Sequence, residues 1–126
     1  MLKVHAHKLG DVTVLRLQGR IVLGETTTLR NGVLSQSHAG AVVLDLARVS
    51  GIDAAGLGVM LELREQTHAK GIEFRLMNVT RLVQQVLEMT RLDSVLEISS
   101  RESVLSAAAV RHSGVIEAAP AMCFES

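Results

Sequence analysis

One short segment of the chain joins an acidic side chain to closely spaced glycines: residues 53–58 read Asp-Ala-Ala-Gly-Leu-Gly. Glycines after a strand let the backbone approach a phosphate, and the free N–H groups at a helix start favour anions. The segment lacks the lysine of a P-loop and the spacing of a dinucleotide fingerprint. Nucleotide binding or hydrolysis that uses Asp53 is therefore a third hypothesis, ranked below two functions in which the chain binds another protein. A plain structural interpretation is a strand-to-helix turn in which Asp53 caps the helix and the glycines permit close packing.

Histidine and cysteine side chains are few and scattered along the chain. His5 and His7 are two residues apart, so on a strand they share one face, but no third metal ligand is clustered with them. Cys123 is alone, and no neighbouring residue would lower the pKa of its thiol. The other histidines are isolated and form no set with a nucleophile: His38, His68 and His112. We therefore expect no metal site, no cofactor and no enzymatic activity.

The composition indicates one globular domain without a strong electrostatic field. Of the 126 residues, 48% are hydrophobic and 21% are charged, which supplies a packed core and argues against disorder. The 13 basic and 13 acidic side chains cancel, and two Phe with no Tyr or Trp provide no surface on which bases could stack. Nucleic acid is therefore not an expected partner.

The chain carries no segment typical of secretion or membrane insertion. The N-terminus has no apolar signal-peptide core, and no apolar run approaches the roughly 20 residues that cross a bilayer. A single cysteine forms no internal disulfide. We expect a soluble, cytoplasmic protein that reaches a membrane only through a partner.

The first half of the chain predicts a hairpin, a helix and a buried strand. Residues 3–8 and 12–17 are two extended segments joined by Gly10-Asp11, a pair suited to a tight reversal. Leu29, Val33 and Leu34 recur at helical spacing within residues 25–37. Residues 41–46 form an almost continuous apolar run, which is typical of a central strand with parallel neighbours.

The middle of the chain predicts two helices separated by a strand. After a loop at residues 50–53, the helix of residues 55–70 ends at Gly71. Residues 72–77 form the strand, and Asn78 is the expected N-cap of the second helix. The apolar stripes assigned to the core in these two helices are Leu57, Met60 and Leu61, then Val79, Leu82, Val83, Val86 and Leu87.

The end of the domain predicts one more strand and helix. Residues 95–98 form the strand, and Ser99 with Glu102 matches a capping box. Val104, Leu105 and Ala108 would form the buried side of that helix. We predict an α/β domain over residues 1–111, with about five strands in a mixed sheet and about four helices packed on it. Residues 112–126 show no periodicity and are expected to be a mobile tail.

Two blocks of the sequence resemble the STAS family, which includes bacterial anti-sigma factor antagonists and the cytoplasmic ends of sulphate transporters. In the antagonists the first block runs Val-Ser-aromatic-Met-Asp-Ser-Ser/Thr-Gly-Leu-Gly-Val. This chain follows it at Val49, Ser50, Asp53, Gly56, Leu57, Gly58 and Val59. The second block, residues 78–92, is similar to the third helix of the family and its ending. The resemblance covers residues 4–111 and implies the STAS fold.

The resemblance also implies a regulatory mechanism from which this chain departs. In the antagonists, a kinase-like anti-sigma factor phosphorylates the serine after the aspartate, and the added charge releases the complex. Ala54 occupies that position, and Ala55 occupies the next hydroxyl position. The family's Gly-Glu-Leu/Ile-Asp after the second strand reads Gly-Arg-Ile-Val at residues 19–22, which removes two acids from a contact edge.

The resulting hypothesis is a non-phosphorylatable adaptor that binds an anti-sigma factor with a kinase-like fold. The alternative is an accessory subunit of a lipid or anion transporter complex that contains an ATPase. A homodimer is left open. The residues expected to bind the partner are Asp53, Ala54, Ala55, Gly56, Leu57, Gly58, Glu62 and Glu65.

Overall fold

The computed structural model describes residues 1–36 and 38–112, with side chains up to Ser106. The elements in chain order are β1 (Lys3–Leu9), β2 (Val12–Ile21), α1 (Thr26–Leu34), β3 (Ala41–Ile52), α2 (Ala54–Ala69), β4 (Glu73–Met77), α3 (Arg81–Met89), β5 (Glu97–Ser99) and α4 (Arg101–His112). The predicted α/β fold is confirmed. The predicted tail lies outside the described residues, apart from His112 at the end of α4.

The strands form one mixed sheet in the order β1-β2-β3-β4-β5. β1 is antiparallel to β2, and each later pair is parallel, with a helix between consecutive strands. The predicted hairpin is confirmed, with Leu9 opposite Val12. Gly10 lies at φ 62°, a left-handed conformation that glycine adopts without a steric penalty.

β3 is longer than its apolar run predicts. We expected a loop at residues 50–53, but the strand continues through Ile52, which pairs with Ile21. Register shifts between β2 and β3 absorb the irregular stretch around Gly19, so pairing resumes beyond the apolar run. Asp53 is therefore placed directly between the end of a central strand and the start of a helix.

The two faces of the sheet are covered unequally. Side chains of α1, α2 and α3 pack on one face, with Leu29, Met60, Leu63, Val83 and Leu87 in the main core. The other face carries a smaller cluster, Val12, Val14, Ala41, Val43, Met77 and Val104, to which α4 contributes one buried side chain among those described. No helix among residues 1–36 and 38–112 is long and apolar enough to cross a membrane.

α3 does not begin at Asn78 as predicted. Asn78 has φ 56°, and its side-chain amide donates to the Asp45 carboxylate at 3.1 Å. Thr80 is the N-cap instead, with its side-chain oxygen accepting from the Val83 N–H. Asparagine tolerates the left-handed conformation well, so this residue serves the chain reversal rather than the cap.

The predicted capping box of α4 is wrong by one residue. Ser100, rather than Ser99, accepts a hydrogen bond from the Ser103 N–H at 3.0 Å. Val104 is buried as expected, but Leu105 is 47% exposed. Leu82 on α3, also expected in the core, is 48% exposed. The predicted burial of Ala108 concerns a side chain outside the described part.

Candidate functional site

Asp53 holds together the two segments that meet at the carboxyl ends of β2 and β3. One carboxylate oxygen accepts from the Gly56 N–H at 2.9 Å and caps α2, as the sequence predicted. The other accepts from the Leu23 N–H at 3.0 Å, thirty residues away in the chain. The second contact fixes the turn after β2 against the start of α2.

The charge of Asp53 is stabilised by these contacts. Hydrogen bonds from the backbone N–H groups of Leu23 and Gly56 lower the pKa of the Asp53 carboxyl from its usual range, against a smaller opposing effect of desolvation. The side chain is therefore an anion at neutral pH, with its oxygens used within the chain. Asp53 therefore positions the turn at Leu23 against the start of α2.

This lowered pKa predicts a pH-dependent contribution to stability. Because the pKa of Asp53 is lower in the folded than in the unfolded protein, its ionised carboxylate stabilises the fold at pH values above the unfolded pKa of about 3.9. This contribution is lost as the pH falls through the pKa of the folded protein. We expect the difference in unfolding free energy between wild type and Asp53→Asn to be constant near neutral pH and to shrink in acid. Denaturant titrations at a series of pH values measure it. A difference that does not change with pH would contradict the assigned role of the charge.

Packing within the described chain explains only one of the two glycines at the start of α2. A Cβ at Gly56 would lie 2.0 Å from the Ile21 carbonyl oxygen, so glycine allows the helix to pass against the end of β2. A Cβ at Gly58 would meet nothing within 4 Å. Packing within the described chain therefore requires glycine at position 56 and gives no reason for one at position 58.

An outer stripe of α2 is mostly exposed to solvent. It consists of Ala54, Gly58, Leu61 and Glu65, spaced four, three and four residues apart, which places them on one side of a helix. Ala54, Gly58 and Glu65 are exposed, whereas Leu61 is half-buried and packs against the main core, to which the sequence assigned it. Ala55 is half-buried, and Leu57 is buried. The stripe is flat and apolar at its first turns and acidic further along.

Leu23 adds a large apolar side chain beside this stripe. It lies in the turn closed by the Glu25 N–H bond to the Val22 carbonyl, and it is 76% exposed. Since its backbone N–H is bonded to Asp53, Leu23 lies next to the start of α2. Sequence reasoning missed this residue, because Ile21, Val22 and Leu23 are equally apolar and nothing in the pattern marks which one leaves the core.

The two acids expected to contact a partner differ in their surroundings. Glu62 forms two hydrogen bonds of 3.0 Å with the Arg30 guanidinium, which joins α2 to α1. This ion pair raises the pKa of Arg30 and lowers that of Glu62. Glu65 is exposed and lies 3.5 Å from Arg64 on its own helix. Glu65 is thus the more available of the two, while Glu62 is engaged within the chain.

The described residues gather no metal-ligand cluster of three or more His, Cys, Asp or Glu side chains. His5 and His7 are exposed on the same strand, β1, as their spacing predicts. Cys123 lies outside the described part of the chain. Both carboxylate oxygens of Asp53 are hydrogen-bonded within the chain.

The sequence model of the family described as STAS domain matches residues 3–104 of this chain. Solved structures share its fold. An anti-sigma factor antagonist from Mycobacterium paratuberculosis has a TM-score of 0.74 at 17% identity, covering 86% of this chain and 95% of that chain. The Bacillus cell fate determinant SpoIIAA in its phosphorylated form has a TM-score of 0.64 at 16% identity, covering 83% and 98%.

A third solved structure with this fold is that of a transporter family protein. A sulfate transporter family protein from Wolinella succinogenes has a TM-score of 0.69 at 19% identity, covering 80% of this chain and 87% of that chain. At these identities the similarity of the structures establishes the fold alone.

Proposed function

Because this chain belongs to the STAS domain family, we propose that it is a protein-binding regulator, not an enzyme, and that it docks on its partner through the start of α2. The docking surface consists of Leu23 and the outer stripe of α2. Asp53 belongs to this site as the residue that holds the two parts together.

The observation that carries the proposal is the combination of Leu23, Ala54 and Gly58. A solvent-exposed glycine inside a helix costs about 1 kcal/mol relative to alanine, and no neighbour in the described chain requires it. Small side chains next to an exposed leucine offer a flat apolar surface that a partner can approach closely. Exposed apolar groups that cluster at the ends of strands are typical of binding sites.

The partner proposed first is an anti-sigma factor with a kinase-like fold. Support comes from the resemblance of residues 49–59 to the antagonists and from the antagonist among the solved structures with this fold. Ala54 and Ala55 have no hydroxyl group, so neither can accept a phosphate. Phosphorylation of these two residues would then not regulate binding.

A second candidate partner is an ATPase-containing complex that transports lipids or anions. The transporter family protein from Wolinella succinogenes, which shares the fold, favours this alternative. The docking surface serves both candidates, and titration of each purified partner distinguishes them.

We expect Ala54→Glu to weaken binding of the purified partner by at least about tenfold, since a charge would be buried against an apolar interface. An acid at a helix N-terminus interacts favourably with the helix dipole, so the fold should be unharmed. Isothermal titration measures affinity, and thermal unfolding measures stability. Gly58→Ala should also weaken binding while it stabilises the fold.

The matched control is Ala69→Glu, which places the same charge at an exposed alanine at the other end of α2. Fifteen residues of helix separate the two positions by about 22 Å. Its affinity should equal that of wild type. A folded Ala54→Glu protein that binds as tightly as this control would remove the start of α2 from the interface.

A further inference from the structure

A cavity of about 260 Å³ lies between α4 and the sparsely covered face of the sheet. It is lined by residues of β1 to β4 and by α4, and it shares no residue with the docking surface on α2 and Leu23. Its volume is just below the roughly 300 to 1,000 Å³ of most ligand pockets, so it suits a molecule smaller than a nucleotide.

The charged groups around the cavity do not neutralise one another. Arg16 of β2 and Arg101 of α4 line it, and neither guanidinium takes part in an ion pair in the described part of the chain. Asp45 also lines it and is 9% exposed. These two cations and one carboxylate leave an excess of one cationic side chain among the three.

The carboxylate of Asp45 accepts hydrogen bonds from other groups of the protein. One of its oxygens accepts from the Ala47 N–H and from the Asn78 side-chain amide, each at 3.1 Å. These bonds fix the position of the carboxylate on the cavity wall, and Asp45 lies opposite Arg16 on the neighbouring strand. The acid next to Arg101 in the chain, Glu102, does not line the cavity, so Arg101 is the more available of the two cations.

The apolar part of the wall consists of Leu9, Val14, Met77, Val104 and Leu105, and the polar residues His7 and Asn78 complete the lining. Leu105 is 47% exposed although it borders the cavity, so an apolar molecule placed there would cover part of its surface. Burial of alkyl groups contributes about 0.8 kcal/mol for each CH₂. A small cavity with cationic side chains and an apolar wall matches a ligand that has an anionic group and an apolar part.

We propose that this cavity binds a small amphipathic monoanion, an aliphatic carboxylate with a short alkyl chain. Its carboxylate contacts Arg101 and Arg16, and its alkyl chain lies between the sheet and Leu105. A carboxylate matches the planar guanidinium fork, and its single charge matches the excess of one cation among Arg16, Arg101 and Asp45.

The test uses the full chain and three probes of equal chain length: hexanoate, hexanol and hexylammonium. Isothermal titration should give one saturable site for hexanoate, binding at least about tenfold weaker for neutral hexanol, and none for the cation. Butanoate should bind more weakly than hexanoate because it buries less alkyl surface. Amide chemical shifts should change at Met77, Val104 and Leu105.

Arg101→Gln should weaken hexanoate binding by at least about tenfold. Arg81→Gln is the matched control, since Arg81 is likewise the exposed first residue of a helix and does not line the cavity. The proposal is overturned if hexanoate shows no saturable binding at millimolar concentrations, or if hexylammonium binds as tightly. Equal affinity in Arg101→Gln and Arg81→Gln would also overturn it.

Discussion

Gly56→Ala is expected to lower the free energy of unfolding by about 3 kcal/mol, the upper end of the usual cost of overpacking. The added methyl carbon would lie 2.0 Å from the carbonyl oxygen of Ile21 and 2.9 Å from its carbonyl carbon. These are backbone atoms of a paired strand, so relief requires the start of α2 to move away from β2. That movement would also strain the Asp53 cap, because the Gly56 N–H is its donor.

Gly58→Ala is the matched control, two residues along the same helix. The new methyl group would meet nothing within 4 Å, and alanine favours a helix over glycine by about 0.5 to 1 kcal/mol. Urea denaturation should therefore give a lower midpoint for Gly56→Ala and a higher one for Gly58→Ala. Equal shifts in the two variants would mean that α2 does not approach β2 as closely as described.

Leu87→Ala is expected to cost about 2 to 5 kcal/mol, the range for removing a fully buried leucine side chain from a core. Leu87 is 0% exposed and packs in the main core together with Val83, Leu76 and Leu96. The residual cavity would lie between α3 and the sheet. The measurement is the equilibrium free energy of unfolding.

Leu82→Ala makes the same chemical change on the same helix at a side chain that is 48% exposed. We expect it to cost less than about 1 kcal/mol. If both variants lose the same free energy, α3 does not present the face that the structure assigns to the core.

The sequence predicted most elements and misplaced several boundaries, among them the end of β3 and the starts of α3 and α4. Apolar runs and glycine turns located the hairpin and α2. They could not extend β3 past residue 46, because pairing with β2 continues that strand through residues 47–52, where polar and apolar residues are mixed. Asn78 and Ser99 were assigned as caps by residue type, whereas the structure uses Thr80 and Ser100. A neighbouring polar residue of similar capping preference is not distinguishable without the tertiary fold.

At the candidate site, local chemistry was predictable and long-range contacts were not. The capping role of Asp53 follows from its place before a helix. Its bond to Leu23 and the pairing of Arg30 with Glu62 join residues 30 and 32 positions apart, respectively. No periodicity within one segment indicates such contacts. The exposed leucine and the reason for Gly56 both depend on how β2 ends against α2.

The strands lie in the sheet in the order in which they occur along the chain. Each strand therefore has a neighbour that is synthesised next to it, and the sheet can grow by one pairing at a time from the hairpin. Every loop closure after the hairpin spans one connection, so its entropic cost is kept low. A chain with this arrangement is expected to fold with fewer slow, long-range steps than one whose central strands come from distant parts of the sequence.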